Sequence, residues 1–194
     1  MKKTNIAKLA LSLFGKLLIA IVMSLIVSIS MMLLFSKIFN VGIVIAQICC
    51  LGIFLTIPYS MLWEAGSADK NKVNFGHEDE DLNKGFKVGL LASMPAFFSA
   101  ALLLLFSVIG RGGVIKFIFY GFNAYFAPTL LKVIPLNMPM GDLWPLRAFL
   151  VSLLTMILPL VAWIAYRLGY KRISLIDKFV YKNAPRKRKV KKRR

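Results

Sequence analysis

Long apolar runs, rather than short alternations, organise this chain. Residues 17–36, 41–62, 88–109 and 148–166 contain no Asp, Glu, Lys, Arg or His. Each run has the roughly 20 residues that, at about 1.5 Å per residue, cross a hydrocarbon core of about 30 Å. Lipid offers backbone amides no partner, so each run is predicted to be a helix. The expected fold is an all-α polytopic membrane protein built as a four-transmembrane-helix bundle.

The polar residues fall between and after these runs. The pattern divides the chain into a basic amphipathic N-terminal segment (1–16), transmembrane helices 1 and 2 (17–62) and an acidic cytoplasmic loop (63–87). Transmembrane helix 3 (88–109), an outer segment (110–147) and transmembrane helix 4 (148–166) follow, and then a cytoplasmic amphipathic helix with a polybasic disordered tail (167–194). The basic start resembles a secretory signal peptide, and Ser28 and Ser30 have cleavage-like spacing. The apolar run continues through residues 31–35, however, which is longer than an ordinary signal core. An uncleaved first span is therefore expected.

The outer segment holds a weaker run, 114–134. Lys116, Gly121, Asn123 and Pro128 interrupt it, and it is crowded with aromatic residues, among them Tyr120 and Tyr125. Tyrosine favours the membrane–water boundary, so an aromatic-rich interfacial or re-entrant segment is expected, with five spans as the alternative. Orientation follows from charge. With both termini inside, 21 of the 26 Lys and Arg residues are cytoplasmic, as the positive-inside rule requires.

Composition sharpens the class. The 194 residues are 58% hydrophobic yet carry a formal charge of +18, which is compatible with folding only because the two are segregated along the chain. Lys, Ile, Asn and Phe are prominent, as in low-GC bacteria, so the expected location is a bacterial cell membrane, multi-pass, with both termini cytoplasmic.

Six of the eight carboxylates lie in 64–81, beside the single histidine, His77. Asp69, Asn71 and Glu80 match positions 1, 3 and 12 of a calcium loop. Val73 and Asn74 then occupy positions that need an oxygen ligand and a glycine. One histidine without nearby cysteine cannot close a zinc site, and no nucleophile or phosphate-binding glycine loop accompanies the acids. The expectation is a connector in which Asp79 or Asp81 caps the next helix, with no catalytic residue, metal or cofactor.

Within the spans the candidate packing residues are small. Ala20, Ser24 and Ser28 stripe the first span, and Gly85, Gly89 and Ser93 stripe the third, as in closely packed transmembrane helices. Gln47, the one side-chain amide in the four runs, is expected to bond another helix. Cys49 and Cys50 read as apolar filler. Pro58, Pro95 and Pro159 are expected to kink spans two, three and four.

Beyond the last span, Ile173, Ile176 and Val180 share one helical face opposite Lys171, Lys178 and Lys182, the pattern of an interfacial helix on the inner leaflet. The run 186–194 follows, with Arg186, Lys187, Arg188, Lys189, Lys191, Lys192, Arg193 and Arg194 as its eight cations. It is predicted to contact anionic lipid or RNA phosphate. It lacks interleaved aromatics, so ribosomal or other RNA would be met without base specificity.

The tail is similar in kind to the ribosome-facing tails of membrane-protein insertases. That resemblance implies ribosome tethering and a cation inside a hydrophilic membrane groove, for which Arg147, at the outer edge of the last run, is the position at hand. Four functions follow as expectations. The first is a small non-enzymatic membrane protein acting through anionic lipid or a membrane-protein partner, within a membrane complex. A transport or pore component, an insertase-like factor, and a lipid enzyme centred on His77 are the others.

Overall fold

The computed structural model describes residues 5–35, 38–77 and 79–173. Every regular element among them is helical. In order these are α1 (Ile6–Leu34), α2 (Phe39–Asn74), α3 (Lys84–Ala92), α4 (Met94–Ile109), α5 (Val114–Phe122), α6 (Ala127–Val133), α7 (Pro145–Ser152) and α8 (Ile157–Tyr170). A 3-10 turn over Leu153–Met156 joins α7 to α8.

Three of these helices, with α7 and α8 taken as one, are long and apolar enough to cross a membrane. The count rises to five if the bent pairs α3–α4 and α5–α6 are spans. The bends have local causes. Pro95 sits in the first turn of α4 and cannot donate to the preceding turn, and its ring crowds the carbonyl of Leu91. The helix breaks there by 56°. Pro159 acts more mildly. The 3-10 turn lies just before it, where its ring would crowd the Thr155 carbonyl in an unbroken α-helix. Pro58 leaves α2 continuous.

α1 and α2 extend further than their apolar runs. α1 already starts at Ile6, with the Asn5 side chain accepting the Ala7 amide at 3.0 Å as its cap. The 36 residues of α2 make about 54 Å of helix, well beyond a ~30 Å core. Residues 63–74, expected in a loop, continue the helix, and α3 begins at Lys84.

Burial follows a helical stripe. On α1 the buried positions are Ala10, Leu13, Leu17, Ala20, Ser24 and Ser28, spaced by three or four, with exposed aliphatics on the other faces. That is the pattern of a helix touching its neighbours along one seam and lipid elsewhere. α8 packs between α2 and α3, and α1 covers α2 and α3 from the other side.

The aromatic segment enters this core. Tyr125 stacks on Phe54 of α2 with ring centroids 3.9 Å apart, and Phe126 meets both. Phe119, Ala124, Tyr125 and Phe126 are buried. The tyrosines here therefore serve as core side chains. This segment forms a lobe over residues 110–141, in which the chain turns by 92° at Asn123, between α5 and the helical stretch Ala124–Val133. Its two ends lie together, since a Cβ on Gly110 would sit 3.6 Å from the Gly141 Cα.

Candidate functional site

The densest polar cluster lies where α2, α3 and α8 converge. The stripe that buries Phe54, Pro58 and Leu62 continues through Gly66 to Asp69 at helical spacing. Asp69 is thus carried on the core-facing side of α2 about two turns past its apolar run. Its Oδ2 accepts the Lys84 ammonium at 2.6 Å and the Tyr166 hydroxyl at 3.0 Å, while Oδ1 accepts Lys72 at 3.0 Å. The Lys84 and Asp69 side chains are only 8% and 6% exposed, against 27% for Lys72. Burial by itself would push the Asp69 carboxyl up. The hydrogen bonds and charge of Lys84 and Lys72, with the Tyr166 hydroxyl, outweigh it and hold the group below the ordinary aspartate value.

Glycines let the three helices close on that cluster. A Cβ on Gly66 would lie 2.9 Å from the Tyr170 amide nitrogen, one on Gly85 2.8 Å from the Ala162 oxygen, and one on Gly169 2.7 Å from the Trp63 backbone. α8 ends immediately below. The Ile173 amide reaches the Leu168 carbonyl at 2.9 Å and the Arg172 amide the Gly169 carbonyl at 2.8 Å, the double bond of a Schellman stop. Arg172 takes the left-handed conformation, φ 55°, and its guanidinium donates to the Asn71 side chain. Trp63 Nε1 donates to the Ile173 carbonyl at 2.9 Å, and the Arg167 guanidinium lies 4.1 Å over the Trp163 ring.

The residues singled out in the sequence distribute as follows. Ala20, Ser24 and Ser28 are buried on α1; Ser28 Oγ lies 3.2 Å from Cys50 Sγ, which reaches the Ser24 carbonyl at 3.4 Å. Cys50 therefore seats against this stripe. Gly89 would place a Cβ 2.6 Å from that of Ala162, so the stripe of Gly85 and Gly89 is the seat of α8. Ser93 closes the stripe by donating to the Gly89 carbonyl at 2.9 Å.

Gln47 ties α2 to the aromatic lobe. Its Nε2 donates to the Tyr125 carbonyl at 3.0 Å, and its Oε1 accepts the Thr129 amide at 3.2 Å and hydroxyl at 2.8 Å. Within the same lobe the buried Lys116 ammonium donates to the carbonyls of Leu136, at 3.1 Å, and Met138. Tyr120 donates to the Ile134 carbonyl.

The acidic connector separates into single roles. Asp81 accepts the Asn83 amide at 3.0 Å and the Lys87 ammonium at 2.8 Å. Lys87 and the Asn83 amide hold its carboxyl below the ordinary value. It thus starts the turn into α3 two residues ahead of the cap position, which Asn83 occupies without a side-chain bond. Asp79 and His77 are exposed, and His77 contributes a backbone bond to the Lys72 carbonyl at 2.9 Å. Of the residues in the calcium-loop register, Asp69 is occupied by cations and a hydroxyl, and the Asn71 side chain accepts from the Arg172 guanidinium. Among the described residues no group of three His, Cys, Asp or Glu side chains could hold a metal.

Arg147 is exposed in the first turn of α7. Ile173 lies in non-helical backbone after the α8 stop. Ile176, Val180 and the cations of 186–194 lie outside the described residues. Sequence reasoning missed Asp69 because it was read as one of six clustered acids. The available signal was its register, in phase with Leu62 and Gly66 on the buried face of α2. No family model, curated protein or solved structure matches the chain.

Proposed function

We propose that the chain is a non-enzymatic membrane anchor that holds a polybasic tail at the inner face of a bacterial cell membrane, where the tail meets anionic lipid or a membrane-protein partner. In this reading four spans cross the bilayer, namely α1, α2, α3–α4 and α7–α8. The lobe from α5 to α6 dips in from the outer side and returns, and both termini are cytoplasmic. Support for the lobe comes from its closed ends: Gly110 lies beside Gly141, and Lys116 binds the carbonyls of 136 and 138.

The observation that carries the functional reading is the fixing of the inner end of α8. Asp69, the close approaches of Gly66 to the Tyr170 backbone and of Gly169 to the Trp63 backbone, and the Trp63–Ile173 bond seat this end against α2 and α3, and the sequence then supplies eight cations in 186–194. A rigid exit followed by a polycation is the arrangement of a tethered charge, with the attraction to anionic lipid running at roughly 1 kcal/mol per basic residue. The buried charges of the bundle are already engaged in holding helices together, which leaves them little suited to general acid–base work.

A transport role finds less support. A small cleft between the helices, bounded by Phe14, Ile21, Ser93, Phe122, Tyr125 and Leu158, measures about 20 Å³, room for about one water. An insertase-like role asks for a cation facing a hydrophilic groove; Arg147 is exposed on α7, and the buried Lys84 and Lys116 are tied to Asp69 and to backbone carbonyls.

Deletion of residues 186–194 tests the reading. The shortened chain should insert and fold normally but lose binding of its cytoplasmic face to phosphatidylglycerol vesicles. A shuffled run of equal charge should restore it, and binding should fall steeply with salt, since screening acts over about 8 Å at physiological ionic strength. Binding that survives deletion, resists salt or demands the native order would show a specific docking motif instead.

A further inference from the structure

The bend at Ser93 has a geometric consequence on the opposite side of the bundle from α8. α1 packs along α3, but α4, turned by 56°, leans away towards α5 and α7. Where α1 and α4 diverge, a groove of about 280 Å³ opens to the outside, lined by Ala7, Leu11 and Phe14 of α1 and by Leu91, Met94 and Pro95 at the bend. Every side chain that lines the groove is apolar, and it is open at the bilayer-facing flank, with Leu11 71% and Met94 54% exposed.

Charge marks one end of it. Lys8 neighbours Leu11 on the surface of α1, three residues apart, and Lys87 stands one turn before Leu91 on α3. Both are exposed. The Lys87 partner, Asp81, is itself 40% exposed, and such a surface pair exchanges readily for another anion. Lys2 and Lys3 precede the same end in the sequence. An apolar slot with cations at the end facing the inner membrane surface matches one occupant, a glycerophospholipid with an anionic headgroup.

We propose that this groove binds one acyl chain of an anionic phospholipid from the inner leaflet, its phosphate held between Lys8 and Lys87. The groove's volume of about 280 Å³ accommodates part of one acyl chain, with the remainder lying in the surrounding lipid. Inside a bilayer an apolar slot gains nothing from the hydrophobic effect, because neighbouring lipid is equally apolar. Its walls supply shape and packing, and the rim cations supply selectivity. The site is separate from the tail, and each can exist without the other.

The test uses the full chain, equilibrated in mild detergent with equal amounts of palmitoyl-oleoyl phosphatidylglycerol and phosphatidylcholine, and native mass spectrometry to count retained lipid. The unaltered protein should retain one phosphatidylglycerol, preferred about fivefold or more, since one basic side chain near an anionic lipid confers about that factor. Ala7→Trp and Leu11→Trp, which fill the groove from exposed positions, should each cut retention at least fivefold while helix content and elution volume stay unchanged. Lys8→Gln with Lys87→Gln should keep the bound lipid and bring the two headgroups to parity. Deleting 186–194 should leave retention intact, which separates this site from the tail. Equal retention of the two lipids by the unaltered chain, retention unmoved by either tryptophan, or a cross-link between Leu11→Cys and Met94→Cys of two copies would overturn the proposal.

Discussion

Replacing Asp69 with alanine removes the carboxylate that Lys84 faces at 2.6 Å, Lys72 at 3.0 Å and the Tyr166 hydroxyl at 3.0 Å. The three contacts are not equal. Breaking a buried ion pair by deleting one partner costs about 3–5 kcal/mol, because the remaining charge stays in a poorly solvated site. The Lys84–Asp69 contact belongs to that class, with both side chains under a tenth exposed. The partly exposed Lys72 adds no more than about 1 kcal/mol. Asp69→Ala should therefore destabilise the fold by about 3 kcal/mol or more. Adding Lys84→Met should recover most of the loss, since an apolar replacement of a whole buried pair is near neutral. Unfolding in mixed dodecylmaltoside–SDS micelles, followed by tryptophan fluorescence, reads this directly, because Trp63 bonds the Ile173 carbonyl at the same junction. Acid adds a second signature. The Asp69 carboxyl lies below the ordinary aspartate value in the fold, so its contribution is complete above the unfolded pKa and is lost as pH falls through the still lower folded value. The alanine variant should lack that acid-dependent loss. A loss under about 1 kcal/mol, or additive effects of Asp69→Ala and Lys84→Met, would refute the buried-clamp argument.

Gly66→Ala, Gly85→Ala and Gly169→Ala each force a Cβ into α8 or α2 backbone and should cost about 1–3 kcal/mol in the same unfolding assay, whereas Gly52→Ala, with nothing within 4 Å, should be neutral or stabilising. Gln47→Leu removes three bonds to the aromatic lobe; hydrogen exchange should speed up at Ala124–Phe126 and α6, with a stability loss of about 0.6–2 kcal/mol. With Cys49 and Cys50 replaced by alanine, single cysteines at Asn74 and Asn183 should be shielded from membrane-impermeant maleimide in intact cells and one at Asn137 labelled; the reverse at any of the three would overturn the proposed topology.

The membrane-protein class was legible in the one-dimensional pattern for a physical reason. A bilayer imposes its demand on each segment separately, so an apolar run of sufficient length declares a helix whatever it packs against. The small-residue stripes were equally legible, because close approach needs small side chains wherever the partner lies. The partners themselves were not legible. Gly85 and Gly89 receive α8, more than 70 residues away, and Gln47 bonds Tyr125 and Thr129; nothing in local periodicity encodes those distances along the chain. The same holds for Asp69, which turns inward while Ala68 and Asn71 beside it are exposed, and for Tyr120 and Tyr125, whose stacking and hydrogen-bond partners lie elsewhere along the chain. The proline at 95 announced a break, but its 56° size and the groove it opens arise only when α1 stays with α3 while α4 follows α5 and α7. Segment identity is set by the solvent each stretch must satisfy, and pairing is set by the three-dimensional fit among stretches that satisfy it equally well.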